Sequence, residues 1–300
     1  MFSHPRWVLI QLTLTLAFGL SSCGSLSGTK PAPTPLEPTA TPVLPTATSQ
    51  TMAATVNGEG ITVVEYTAEL ARYKSVQQTL NKNVSDTDAS KTVLEDLIAQ
   101  VLLEQGAKAA GYQISDSALR SRIDALTSQL GGVDKLSKWE SDYGYTDASF
   151  RESLKLSIDA AWMRDKIITA VPTTADQVHV QQILLYNASD AQNVLQQLQG
   201  GADFDKLAAA YDPDARGDLG WFPKGYLLDP NVEQSAFSLQ AGQTSDVIQT
   251  NVGYDIIKVL ERDPQHTLSP DAYLALQEQA LNNWVAQQRA QAKIVLAPSS

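Results

Sequence analysis

A short run over residues 216–222, Arg-Gly-Asp-Leu-Gly-Trp-Phe, constrains the second half of this chain more than any other stretch. Its two glycines, Gly217 and Gly220, allow the backbone to take positive φ angles and to approach other segments closely. The aromatic pair that follows, Trp221 and Phe222, offers a large apolar surface beside such a turn. On the residues alone, the run predicts a tight turn that leads into a strand.

The segments around this run predict a small sheet that carries helices. Apolar residues run together or alternate where strands are expected, and they recur every three or four residues where helices are expected. Val171-Pro172 ends the preceding helix, because the residue before a proline avoids the α conformation. The expected elements are a strand over 178–185, helices over 189–198 and 203–211, a short helix over 232–237, and strands over 243–250 and 253–260.

This order of elements, together with Gly217-Asp218-Leu219-Gly220 at its centre, resembles the parvulin-type peptidyl-prolyl isomerases. Further positions that match the family pattern are Gly201-Ala202-Asp203-Phe204, Leu207-Ala208, Tyr211, Ala236-Phe237-Ser238-Leu239, Gly242, Val247, Gly253-Tyr254 and Ile256-Ile257-Lys258-Val259. The resemblance implies an α+β parvulin domain over 172–263, in which a small sheet packs against helices. It also implies isomerisation of X-Pro bonds without a metal or a cofactor.

Two histidines that parvulins carry in their first and last strands are absent from this chain. By the resemblance, Gln182 and Asp255 stand at those positions. His179 is a poor substitute for Gln182, because residues three apart on a strand point to opposite faces of the sheet. The loop before the glycine run is short, so Asp212 or Asp214 approximately fills the acidic position of the family. These residues are the expected catalytic set.

The resemblance also implies an apolar pocket for the proline ring. Leu219 matches the family, Leu227 and Val232 replace a methionine and a phenylalanine, and Phe222 and Thr250 complete the expected set. Rate enhancement would come from binding the twisted amide more tightly than the planar one. With both histidines replaced, two functions stay open: an isomerase, and a domain that binds peptides without catalysis.

Residues 54–171 predict a mostly helical domain that begins with a hairpin. Asn57-Gly58 favours a type I′ turn, and Thr62 with Glu65 predicts a capping box that opens a helix. This layout and the start Val-Asn-Gly-Glu are similar to the N-terminal chaperone region of SurA-like and PrsA-like foldases, which implies that the domain holds unfolded client chains. The expected helices cover 63–80, 89–110, 115–131, 133–141 and 146–170.

The C-terminal segment, 264–300, predicts one long helix and a short strand. Ser269-Pro270 supplies an N-cap followed by proline at the first helical position, and the helix is expected to reach about residue 293. A strand over 294–296 can follow. By the resemblance to SurA-like proteins, this segment returns to the N-terminal domain, so we expect Trp284 to pack near Val101 or Leu102.

The first 53 residues predict export and attachment to a membrane. The apolar stretch 7–20 follows Arg6 and is shorter than the roughly 20 residues that a spanning helix needs. It therefore predicts a signal peptide over 1–22. Leu20-Ser21-Ser22-Cys23 matches a bacterial lipobox, and Cys23 is the one cysteine of the chain, which favours lipidation there. Ordinary cleavage near the same place and an uncleaved anchor are the alternatives.

Composition narrows the partners of the folded regions. Residues 24–53 are rich in threonine and proline and predict an extended tether, so that 23–53 forms a lipidated linker. A formal net charge of −11 argues against nucleic acid. His179 and His266 are too far apart in sequence to suggest a metal site. The sequence thus predicts an extracytoplasmic, lipid-anchored foldase for X-Pro bonds of secreted chains, with a holdase or a single-partner assembly factor as alternatives.

Overall fold

The computed structural model describes residues 51–297 and is an α+β structure, as predicted. Its N-terminal part starts with a hairpin, followed by five helices: the first and the fifth pack against the second, while the third and fourth pack against each other and the fifth. The elements are β1 (Met52–Val56), β2 (Glu59–Thr62), α1 (Val63–Thr79), α2 (Asp86–Ala109), α3 (Asp116–Leu130), α4 (Val133–Asp142) and α5 (Asp147–Thr169).

The predicted hairpin and most of the predicted helix caps are confirmed. Asn57 and Gly58 have φ angles of 54° and 92°, which is the pattern of a type I′ turn. The side chains of Thr62, Ser115 and Thr146 each accept a hydrogen bond from a backbone N–H in the first turn of their helix. Local side-chain chemistry therefore sets the starts of α1, α3 and α5.

The predicted start of α2 at residue 89 was wrong. The helix begins at Asp86, because the Ser85 side chain caps it by accepting a hydrogen bond from the Asp88 amide at 3.1 Å. The first turn of this helix carries acids rather than apolar residues, so the apolar repeat starts one turn later than the helix. Acidic residues in a first turn are favourable there, since the helix dipole is positive at its N-terminus.

The second part of the chain forms an antiparallel sheet of four strands in the order β4-β3-β6-β5. The predicted order of strand, two helices, strand, helix and two strands is confirmed. The elements are β3 (Thr174–Leu185), α6 (Ala188–Gln199), α7 (Phe204–Tyr211), β4 (Asp218–Pro223), α8 (Pro230–Ser238), β5 (Ile248–Gln249) and β6 (Tyr254–Thr267).

Several element boundaries in this part of the chain differ from the predictions. The strand expected over 243–250 is reduced to β5, because the Ser245 hydroxyl accepts the hydrogen bond of the Ile257 amide at 3.0 Å in place of a backbone carbonyl. Helix α6 begins after Asn187, not at Ser189, since the Asn187 side chain accepts from the Asp190 amide. Strands β3 and β6 also extend beyond their predicted ends and pair as far as Thr174 and Thr267.

The sheet has two buried faces, and the alternation of side chains along β3 and β6 separates them. One face packs against α6 and α7 through Ile183, Leu185, Ala191, Val194, Phe204, Ala208 and Ile256. The other face packs against α8. We call this second group the α8-face cluster, and its buried members are Val178, Val180, Phe222, Val232, Ala236, Ile248, Ile257 and Val259.

The C-terminal helix α9 (Pro270–Gln291) packs against α2 and α5 of the N-terminal part. Trp284 packs on the expected helix, α2, but in a different cluster from its expected neighbours Val101 and Leu102. It packs with Leu103, and a β-carbon at Gly106 would lie 2.6 Å from its ring. The absence of that β-carbon makes room for the indole.

The last strand, β7 (Ile294–Leu296), pairs antiparallel with β1 and joins the sheet of the N-terminal part. The expected strand over 294–296 is therefore present. Strand β1 starts at Met52, within the segment that the sequence assigned to the tether. Signal peptide 1–22, Cys23 and the rest of the tether lie outside the described residues. Within 51–297, no helix combines the length and hydropathy that crossing a bilayer requires.

A half-buried acid on α2 predicts a pH-dependent stability. Burial raises the pKa of Asp96 to about 6, and the Glu95 and Glu69 carboxylates add to the rise. The native state then binds the proton more tightly than the unfolded state, whose pKa is about 4, so stability falls as the pH rises from about 4 to about 6. Asp96→Asn removes this loss. Because solvent screens a partly exposed group, we expect a gain of about 1 kcal/mol at pH 7.

Urea unfolding at pH 4.5 and pH 7.5 measures this effect. The wild type should be less stable at the higher pH relative to Asp96→Asn, and the two proteins should converge at the lower pH. Asp124→Asn, which removes an exposed acid on α3, is the matched control. Equal stability of Asp96→Asn and wild type at both pH values would contradict the prediction.

Candidate active site

The glycine run follows the loop after α7 and leads into strand β4, and its first residues contact strand β3. Arg216 and Gly217 both have left-handed backbones, with φ angles of 55° and 68°. The Gln182 amide donates a hydrogen bond of 2.8 Å to the Gly217 carbonyl oxygen. A β-carbon on Gly217 would overlap the carbonyl oxygen of Gln182. Glycine is required here by both the backbone angle and the closeness of the two chains.

Asp212 shapes the same loop. Its Oδ2 atom accepts a hydrogen bond from the Gly217 amide at 3.0 Å, and its Oδ1 atom accepts one from the Ala215 amide at 3.1 Å. These bonds, that from Gly217 first, hold the pKa of Asp212 below its usual value. The sequence left Asp212 and Asp214 open for one position. The structure places Asp212 in contact with the residue that binds Gln182, which makes it a positioning residue in our proposal.

Three of the predicted pocket residues lie together. Leu219 and Leu227 are partly exposed and pack against the α8-face cluster, to which the buried Val232 and Ile257 belong. We call the apolar surface that these side chains share, between β4, the loop before α8 and the centre of the sheet, the hollow. Phe222 has no exposed surface and packs edge-on against a phenylalanine of α8, so it supports the hollow from behind instead of lining it.

Gln182 and Asp255, which stand where parvulins carry histidines, lie beside this hollow. In the register of β3 and β6, Gln182 pairs with Ile257 and Leu184 pairs with Asp255. Side chains alternate along both strands, and Ile257 belongs to the α8-face cluster, so Gln182 and Asp255 share that face of the sheet. Thr250, which follows β5, donates to the Gly253 carbonyl at 3.3 Å and lies against the Asp255 carboxyl.

Asp255 is buried in an environment that disfavours its charge. It is 4% exposed, and within the described residues its Oδ1 atom has no hydrogen-bond partner. Burial raises the pKa of this carboxyl, the Thr250 hydroxyl lowers it, and the Asp229 carboxylate raises it again. A buried polar atom without a partner is costly, and such atoms often belong to functional sites.

His179 lies on the opposite face of the sheet, as the strand alternation predicted. Its Nε2 atom is 2.8 Å from Asp218 Oδ1, and its ring stacks on Trp221 with 5.6 Å between ring centroids. Trp221 stacks in turn on His266 at 4.0 Å. Both histidines of the described chain are therefore engaged away from the hollow, and neither replaces Gln182.

Glu233 is a site residue that the sequence analysis missed. Its Oε2 atom accepts hydrogen bonds from three successive amides, those of Gly225, Tyr226 and Leu227, at 2.8, 3.1 and 3.2 Å. This carboxylate holds the loop that carries Leu227 into the hollow. An acid in the first turn of α8, directly after a glycine-containing loop, was the available signal, but the partners became visible only in the folded chain.

No three His, Cys, Asp or Glu side chains come together as a metal site would require in the part of the chain that the structure describes. The polar groups at the hollow are the side-chain amide of Gln182, the Thr250 hydroxyl and the Asp255 carboxyl. They lie beside leucine and valine side chains. Such groups bind by hydrogen bonding and apolar contact. This chemistry suits a reaction in which no bond to the protein forms.

Comparison with known families agrees with this geometry. Residues 179–261 match the family described as PPIC-type PPIASE domain, and residues 42–138 match the family described as SurA-like N-terminal domain. The chain joins a SurA-like N-terminal domain to a parvulin-type isomerase domain. The hollow between β4 and α8 therefore lies in the parvulin domain, and helices α1 to α3 belong to the SurA-like domain.

Three relatives of similar sequence carry the name foldase protein PrsA. The protein from Oceanobacillus iheyensis is 27% identical over 246 residues, which cover 77% of this chain and 80% of the relative. That from Caldanaerobacter subterraneus is 29% identical over 236 residues, with 69% and 72% covered. PrsA 1 of Lactobacillus johnsonii is 33% identical over 190 residues, with 52% and 64% covered. The longest of these alignments includes parts of both the SurA-like and the parvulin domain.

Proposed function

We propose that this protein is a membrane-anchored, extracytoplasmic foldase that isomerises X-Pro bonds in unfolded secreted polypeptides. The observation that carries the proposal is the apolar hollow of Leu219, Leu227 and Val232, which lies beside Gln182 and Asp255 on one face of the sheet. An apolar recess with a few polar groups at its edge suits a proline ring and the amide that precedes it.

The reaction requires rotation about one bond, with a barrier of about 18–20 kcal/mol in water. The leucine and valine side chains would hold the prolyl ring, so that the preceding carbonyl is free to turn. Twisting removes amide resonance and makes that carbonyl less polar. A site that binds the twisted amide better than the planar one accelerates the rotation. Gln182, Thr250 and Asp255 are the groups that would meet the amide, and Asp212 would position Gln182 through Gly217.

The other parts of the chain supply client binding and location in this proposal. The SurA-like domain, with α9 packed against α2 and α5, would hold unfolded segments near the parvulin domain. A lipid on Cys23 would keep the protein at the outer face of a membrane, and the proline-rich tether would hold the folded part away from the bilayer.

Proline-limited refolding of a model substrate tests the catalytic part. A soluble form that begins after Cys23 should accelerate the slow refolding phase. Gln182→His/Asp255→His restores the side chains usual in parvulins, and we expect it to raise kcat/KM about tenfold, which is the size of one recovered hydrogen bond of about 1.4 kcal/mol. If neither protein changes the slow phase, isomerase activity is excluded.

A second candidate function is a holdase, a chaperone whose parvulin domain binds peptides without isomerising them. Two observations favour it: both histidine positions are replaced, and one buried oxygen of Asp255 has no hydrogen-bond partner among the described residues. The same refolding experiment separates the two functions. A holdase suppresses aggregation of the substrate while the rate of the slow phase stays unchanged.

A further inference from the structure

Two acids, Asp255 and Asp229, lie near each other at the hollow of the parvulin domain. Asp255 contributes a carboxyl that is 4% exposed, and its Oδ1 atom has no hydrogen-bond partner among residues 51–297. The one other charged group that acts on it there is Asp229, a second carboxylate. Neither acid has a basic partner in an ion pair within the described chain. Buried charges of this kind are normally paired.

The two acids approach the hollow from different elements. Asp255 lies on β6, next to Leu184 of β3 and Ile248 of β5. Asp229 caps α8, where its Oδ1 atom accepts from the amides of Asn231 and Val232 at 2.9 and 3.3 Å. The positive end of the helix dipole partly offsets the charge of Asp229. At Asp255 the Thr250 hydroxyl is the one group that favours the charged carboxylate among the residues that the structure describes.

The rest of the hollow is mainly apolar, so the electrostatic effect of the Asp255 carboxylate is screened less there than in water. Val232 and Ile257 are buried, and Leu219 and Leu227 cover part of the surface above them. Salt and water screen a buried charge much less than an exposed one. A cationic group that enters the hollow would therefore gain more here than at the surface of the domain, while an anionic group would be repelled.

We propose that Asp255, supported by Asp229, makes the parvulin domain select X-Pro segments in which a lysine or an arginine stands beside the proline. The inference rests on the proposed function of the hollow, because it names the client segments that this site would take. The apolar side chains would hold the prolyl ring, and the ammonium or guanidinium group of the neighbouring residue would balance the carboxylates. Asp255 is then a specificity-determining residue.

Three short peptides that differ before the proline test the proposal: Ala-Lys-Pro-Phe, Ala-Ala-Pro-Phe and Ala-Glu-Pro-Phe. Isomerisation and binding are measured by NMR on the chain that begins after Cys23, at low salt. We expect kcat/KM for the lysine peptide to exceed that for the glutamate peptide about tenfold, as two charges separated by several Å at intermediate dielectric would give. The ratio should fall to about twofold in Asp255→Asn and should shrink as salt is added.

Asp229→Asn supplies a second, independent variant, because asparagine caps a helix as well as aspartate does. It should lower the lysine-to-glutamate ratio without unfolding α8, even if Asp255→Asn fails to fold. Asp246→Asn removes an exposed acid beside the α6 and α7 face of the sheet and is the matched control for net charge. Its ratio should equal that of the wild type.

The outcomes separate this inference from the proposed activity. Equal kcat/KM for the lysine and glutamate peptides in the wild type overturns the charge preference and leaves the isomerase intact. If no peptide is isomerised, the catalytic proposal fails, and the dissociation constants of the same peptides decide the preference. A ratio that is unchanged in both Asp255→Asn and Asp229→Asn assigns any preference to another part of the protein and also overturns the inference.

Discussion

Gly217→Ala should lower the free energy of unfolding of the parvulin domain by about 4 kcal/mol or more, which would leave little of the domain folded at physiological temperature. Two unfavourable contributions to the free energy of the folded state add at this position. The φ angle of 68° is unfavourable for any residue with a β-carbon, by about 1–2 kcal/mol. The new β-carbon would also overlap the Gln182 carbonyl oxygen, so the loop would have to leave β3 and break the hydrogen bond from the Gln182 amide.

Gly220→Ala is the matched control for this substitution. Gly220 has nearly the same φ angle, 66°, but a β-carbon there would meet no atom of the described residues within 4 Å. It should therefore cost only the conformational term of about 1–2 kcal/mol. Thermal unfolding followed by near-ultraviolet circular dichroism compares the two, and 1 kcal/mol corresponds to a Tm change of about 4–8 °C for a domain of this size. Equal Tm values for the two variants would show that contact with Gln182 is unimportant.

Glu233→Ala is expected to cost about 3 kcal/mol in stability and to weaken peptide binding by the parvulin domain. The Glu233 carboxylate accepts from the amides of Gly225, Tyr226 and Leu227, and alanine leaves all three without this acceptor. Hydrogen bonds to a charged group contribute about 1.5–3 kcal/mol each, and water recovers part of that at an exposed loop. Once released, the loop no longer holds Leu227 against the α8-face cluster.

Glu233→Gln tests whether the effect belongs to these hydrogen bonds. Glutamine keeps an acceptor oxygen of the same reach, so we expect a loss of about 1 kcal/mol, due mainly to the missing charge. Urea unfolding measures the stability, and the dissociation constant of a proline peptide measures the hollow. We expect that constant to rise about tenfold in Glu233→Ala, in line with a lost apolar wall. Wild-type affinity together with a large loss of stability would assign Glu233 to folding alone.

Much of the fold was predictable because its signals are local. The turn at Asn57-Gly58 and the caps at Thr62, Ser115 and Thr146 depend on atoms within four residues of one another. The same holds for the alternation that places His179 on the face of the sheet opposite Gln182. Such features follow from backbone sterics and strand geometry, which short segments carry with them into any fold.

The candidate site was only partly predictable. The resemblance placed Leu219, Leu227 and Val232 in one apolar pocket, and the structure brings them to the α8-face cluster. The resemblance did not predict that Phe222 would be fully buried or that Glu233 would accept hydrogen bonds from three backbone amides. Both outcomes depend on tertiary contacts between segments that are distant in sequence. The spacing of apolar residues carries no information on such contacts.

By itself, the sequence determined the α+β class and the order of the elements, since both follow from local conformational preferences and the spacing of apolar residues. Only the tertiary structure decided the surroundings of Asp255. Asp255 acquires a raised pKa, and an oxygen without a hydrogen-bond partner within 51–297, because the fold buries it and brings Asp229 near. Desolvation depends on everything packed around a group, so an aspartate in a sequence does not reveal it.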